Sequence, residues 1–202
     1  MKSVGCLLSV ALLSLSTMVF AQSKPQEASG QSEMHKSMEK PAPTEAQKSF
    51  ETMKTFAGDW EGPVTVNPLM PGMTDQPIKP LHLSMRVTSR GNTVIHEFQE
   101  ANTPLDPNKY DHPVTTLYLD GDQLNLVHYC DAGNRPRMIG KMSPDGKTVE
   151  FELVDVSGSM KHGHMAHAVF TYIDANHHSE DWTYMLPGDK PIHAHMDLKR
   201  TN

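Results

Sequence analysis

The residues of this chain best suited to chemistry lie on its later alternating runs. His128 and Cys130 stand two residues apart, continuing the series Leu124, Leu126 in which every second position is apolar. Side chains at i and i+2 of a strand share a face, so both should point with the leucines into a core. His164 leads a second series, Ala166, Ala168, Phe170 and Tyr172, and reads as inward too. Three such groups on one cavity could hold the polar end of a ligand, a transition metal or a haem. They could equally be hydrogen-bonded polar groups at the rim of a fold, since buried polar atoms need partners in either case.

His193, His195 and Asp197 repeat the spacing on the face opposite Ile192, Ala194, Met196 and Leu198. A His-x-His pair suits Zn, Cu or Ni. An outward stripe is more often solvated, and a metal site needs three or four converging donors. His162 straddles Gly163 with His164, while His177 and His178 read as exposed turn residues. Met70, Met73, Met160 and Met165 could join histidines around copper, or could fill adaptable apolar surface. Cys130 could act as a nucleophile with His128 beside it, but no third, orienting group is evident. Glu150 and Glu152 share a strand face that reads as solvent, so a carboxylate pair for acid–base work is unsupported.

The elements that must position these groups are strands. From Thr115 to Val156 the chain reads as four strands in sequence, with turns at Asp120-Gly121-Asp122 and Ser143-Pro144-Asp145-Gly146-Lys147. Period-two alternation between Gly- and Asp-rich turns marks half-buried antiparallel strands. Further strands are expected at 59–66, 81–88, 93–100, 164–173, 179–185 and 192–199. A short helix, 44–56, precedes them, with Thr44 as cap and Gln47 three residues on. Ten strands in sequence would leave two long edges in a flat sheet, so an all-β, ten-stranded antiparallel up-and-down barrel is predicted, its helix at one end. Connections alternate between tight and long, which gathers the long loops at one mouth. Parity places His128, Cys130 and His164 there.

Composition narrows the setting. Lys2 followed by an apolar run from Leu7 to Phe20 and by Val19-Phe20-Ala21 reads as a secretory leader, residues 1–21, cleaved before Gln22. That run is short for a membrane span. Residues 22–43 are polar and should form a disordered tether, leaving 44–202 as one domain. Only Cys130 would then remain, so an exported chain, periplasmic or extracellular, would fold without a disulfide. With 24 acidic and 18 basic residues, nucleic acid is not an expected partner.

Gly58 and Trp60, in Phe56-Ala57-Gly58-Asp59-Trp60-Glu61-Gly62, resemble the Gly-x-Trp opening of the calycin-type barrels: lipocalins, fatty-acid-binding proteins and nitrobindin-like haem barrels. From about Phe50 to Arg200 the chain also resembles an uncharacterised exported bacterial family with a calycin-like barrel. The resembling runs are Gly58 to Gly62, His128-Tyr129-Cys130, Gly133 to Met138 and Ser143 to Lys147. The leading expectation is an exported protein that holds a small, largely apolar molecule. Inward Leu119, Leu126, Phe151, Phe170, Trp182 and Met196 would line the barrel, with His128, Cys130 and His164 as polar contacts at its mouth. The alternatives are a haem- or metal-binding barrel using His128 or His164 and a thiol-dependent enzyme built on Cys130.

Overall fold

The computed structural model describes residues 42–70, 72–74 and 78–201; the leader and most of the tether lie outside the described residues. Helix α1 (Glu45–Thr55) begins with a capping box. Thr44 Oγ1 accepts from the Gln47 amide, and Gln47 Oε1 accepts from the Thr44 amide at 2.9 Å. These bonds satisfy amides that the first turn leaves without helical partners. The helix buries Ala46, Ser49, Phe50 and Met53.

Eleven strand segments follow: β1 (Gly58–Gly62), β2 (Val64–Asn67), β3 (Leu81–Thr88), β4 (Thr93–Glu100), β5 (Val114–Asp120), β6 (Gln123–Tyr129), β7 (Arg135–Met142), β8 (Thr148–Ser157), β9 (His164–Asp174), β10 (His177–Leu186) and β11 (Lys190–Thr201). From β3 onward each pairs antiparallel with the next. β1 pairs with both β3 and β11, so the sheet closes. The strand expected at 59–66 is the pair β1 and β2, interrupted at Pro63, which has no amide to donate to a ladder. Counted as one strand, these halves make a closed ten-stranded antiparallel barrel with one helix. The seam needs Gly62: a Cβ there would lie 1.8 Å from the Asp197 carbonyl oxygen of β11.

The helix packs against β5, β6 and β7. Its Lys54 Nζ lies 3.8 Å from where a Cβ on Gly91 would stand, in the tight β3–β4 turn. The helix therefore closes the tight-turn end. Phe50, Met53 and Phe56 join Trp60, Leu117, Leu124, Leu126, Met138, Phe151, Phe170 and Leu198 in one core. Apolar burial of this kind is the main stabilising term of the fold. The long loops lie at the other end. Among the described residues no helix is long and apolar enough to cross a membrane.

Candidate functional site

The half of the barrel away from the helix holds a cavity of about 300 Å³, at the lower end of the range for small-molecule sites. Its wall is largely apolar: Val64 and Val66 of β2, Leu81 of β3, Phe98 of β4, Trp182 of β10, and Ile192, Ala194 and Met196 of β11. Among the described residues β2 is bonded to β11 and not to β3, so loop residues Met70 and Ile78 complete that side. Polar groups gather toward the loops: His128, Cys130, Asp111, Asp131 and Tyr184.

His128 is 1% exposed and directly faces Thr115 across the β5–β6 ladder. Its Nδ1 lies 2.9 Å from the buried Thr115 hydroxyl. Burial, reinforced by the charge of His96, lowers the His128 pKa to about 3, so the ring is neutral at ordinary pH. A neutral ring that accepts a hydrogen bond from the Thr115 hydroxyl at Nδ1 carries its proton on Nε2, which is then free to donate into the cavity that His128 lines. Cys130 is half-buried just beyond the end of β6. Burial raises its thiol above the ordinary value, and the nearby Asp111 and Asp131 add to the shift. This is the reverse of what a nucleophilic thiol requires.

His164 does not join them. On β9, Thr183 of β10 pairs with His167 but Tyr184 pairs with Met165, which leaves Ala166 as a bulge. One extra residue exchanges the two faces of a strand. Met165 therefore lines the cavity opposite Tyr184, while His164 pairs with Met185 and is buried away from it, its Nδ1 without a partner among the described residues. The other inward residues also divide. Trp182 and Met196 line the cavity; Leu126, Phe151 and Phe170 are fully buried in the packed half, and Leu119 lies against that core.

Beneath the cavity is a buried cluster that alternation alone could have suggested, because His178, Glu180 and Trp182 share a face of β10. Glu180 is wholly buried and takes both His96 Nε2, at 2.9 Å, and His178 Nε2, at 3.1 Å. It also accepts the Trp182 indole N–H at 2.9 Å, which fixes the indole in the cavity wall. Burial opposes the Glu180 charge, but His96 and His178 outweigh it and hold the carboxyl below its usual range. His178 is thus not an exposed turn residue: its ring packs 4.2 Å from that of Trp60 and 4.9 Å from that of Phe56. At the loop end, Asn134 Nδ2 donates to the carbonyls of Ser159 and Gly163 and Tyr184 donates to that of His162, which fastens the β8–β9 loop.

The outer face carries separate pairs of histidine with an acid or a hydroxyl. His195 Nδ1 lies 2.7 Å from Asp181, His193 Nδ1 lies 3.1 Å from the Thr183 hydroxyl, and His177 lies 2.7 Å from Asp197. His193 and His195 are thus engaged by different residues of β10. Among the described residues, the three potential metal donors that all lie within 4.8 Å of one another are Glu150, Glu152 and His167, on the outer face of β8 and β9.

A haem does not fit the cavity: His164 lies on the other face of its strand, the volume is small, and the charged lining groups, Asp111 and Asp131, are of the same sign as a haem's carboxylates. The cavity's potential metal donors, His128, Cys130 and the rim carboxylates, do not form a converging group.

No protein-family model and no curated protein sequence matches the chain. Among solved structures, Rv2717c from M. tuberculosis is similar, with a TM-score of 0.54 and 16% identity, over 76% of this chain and 98% of that one. A DUF3598-family protein from Nostoc punctiforme PCC 73102 gives a TM-score of 0.37 at 10% identity, over 73% of this chain and 48% of its own. At such identities the likeness to Rv2717c extends to the fold alone: this chain and that protein share a β-barrel architecture.

Proposed function

We propose that this protein, a barrel of the calycin kind, binds a small, largely apolar molecule in its open half. The observation that carries the reading is the contrast between the two halves. One is filled by Phe56, Trp60, Phe151 and Phe170; the other holds a cavity of about 300 Å³ with an apolar wall and the neutral ring of His128 in its lining. A filled barrel needs no such space, and an apolar cavity with a few oriented polar groups is the usual form of a ligand site. The shifted thiol of Cys130 and the lack of a hydrogen bond from it to His128 among the described residues disfavour a thiol-dependent enzyme.

The test uses the neutral dye N-phenyl-1-naphthylamine. Its fluorescence should rise on binding and fall when 1-octanol is added. Ala194→Trp, which fills the cavity from β11, should abolish the signal without lowering thermal stability. Equal dye binding by that variant would overturn the assignment. We also propose export to the periplasm or exterior, with cleavage between Ala21 and Gln22, on the strength of the leader pattern. The intact mass of protein recovered from its own cells decides the point.

A further inference from the structure

We propose that the molecule taken by this cavity is an organic ammonium, its apolar body inside the barrel and its cationic head at the rim beside Asp111 and Asp131. The inference rests on reading the cavity as a ligand site and goes on to name the charge of the ligand. No Lys or Arg lines the cavity among the described residues; its charged lining groups are the two aspartates. They are adjacent, with the Asp131 amide donating to Asp111 Oδ1 at 3.2 Å, and neither forms an ion pair with a described residue. Two like charges at the mouth of an apolar cavity, with no protein cation between them, are complementary to a positive head group.

The neighbouring groups report the same field. Burial raises the Asp111 carboxyl and the Asp131 charge raises it further, against smaller opposing influences from the Asp131 amide, which donates to it, and from His112. Burial raises the Cys130 thiol and the Tyr184 phenol, and both aspartates add to each shift. Anions are therefore disfavoured at this mouth. A cation deep in the cavity is disfavoured as well, since burial and His96 keep His128 neutral. An amphiphile with its charge at the rim satisfies both conditions. The aromatic faces of Trp182, Tyr184 and Phe98 in the wall suit such a cation or its apolar body. The basic groups nearby line adjoining grooves that share the aspartates: Lys109, 5.0 Å from the Tyr110 ring, and His112 lie in one with Asp111 and Asp131, and His162 in another with Asp131.

Octylamine, 1-octanol and octanoate share a tail and differ in head charge. Calorimetric titration of the full chain at pH 7 should show octylamine binding about fivefold tighter than 1-octanol, the scale of rim-exposed ion pairs. Octanoate should bind more weakly than 1-octanol. The ratio of amine to alcohol affinity should fall to one in the double variant Asp111→Asn, Asp131→Asn, and should shrink with added salt. If 1-octanol binds and octylamine has no advantage, the ammonium assignment is overturned and the cavity reading stands. If none of the three binds, both are overturned. An amine advantage that survives in the double variant removes the aspartates from the role.

Discussion

His96 of β4 and Glu180 of β10 meet at 2.9 Å with both side chains wholly buried, 84 residues apart in the chain. Together with His178 they form a charged cluster that joins the packed half of the barrel to the cavity wall. It reaches Trp60 and Phe56 through His178, and Trp182 through the Glu180 carboxylate.

Breaking that cluster should be costly. Removing one member of a buried ion pair leaves the other charged or polar and unpartnered, a loss of about 3–5 kcal/mol. Glu180→Gln should lose that much stability in urea unfolding and should change the emission of Trp182, whose N–H it anchors. The folded carboxyl is held below its ordinary value of 4.5. The charge therefore stabilises the fold above that value, and the contribution declines as pH falls below it toward the folded value. A wild-type-like stability in Glu180→Gln would mean the cluster contributes nothing net.

His128 predicts a second acid dependence. Its pKa falls from 6.5 to about 3 on folding, so between those values the unfolded chain binds a proton that the folded chain refuses. Stability should decline with acidification through that window by about 1.4 kcal/mol per pH unit from this residue. His128→Phe should have a shallower acid limb than wild type, whatever its stability at pH 7. Identical slopes would show that the ring is protonated in the folded state.

Trp60 is 1% exposed, donates its indole N–H to the Phe56 carbonyl at 2.8 Å and lies under the Arg200 guanidinium at 4.0 Å. Trp60→Ala should cost about 3–5 kcal/mol, the range for truncating a buried aromatic. A thermal-melt loss below about 1 kcal/mol would show that the helix–barrel junction repacks around the space.

Cys130 should behave as an unactivated thiol. Its pKa is raised, chiefly by burial. Alkylation by iodoacetamide at pH 7 should be slower than that of a free cysteine and should accelerate as pH rises past 9, the ordinary value. Rapid modification at neutral pH would restore the thiol-enzyme reading.

Much of the fold was legible because its signals are local. Thr44 and Gln47 announce the capping box. The turns at Asp120-Gly121-Asp122 and Asp174-Ala175-Asn176 punctuate β5, β6, β9 and β10. Leu124, Leu126 and His128 show their common face by alternation. Part of the site was legible by the same rule: His128 and Trp182 do face one cavity. Glu180 and His178 can be read from Trp182 by counting back two and four residues, but His178 falls beside the β9–β10 turn and by sequence alone reads as part of it.

The amino-acid sequence by itself determined the strand class, the order of the strands and the division of the loops between two ends, because alternation and turn chemistry act over a few residues. Three matters belonged to the tertiary structure. The Ala166 bulge, set by how β9 pairs with β10, turned His164 from the cavity and Met165 into it. The helix, by filling the tight-turn end, assigned Leu126, Phe151 and Phe170 to packing and left Trp182 and Met196 to line the cavity. The closed barrel brought His96 of β4 to Glu180 of β10. Each of these depends on the register and packing of one segment against another, and the residue types within a single segment do not encode how it is met by its neighbour.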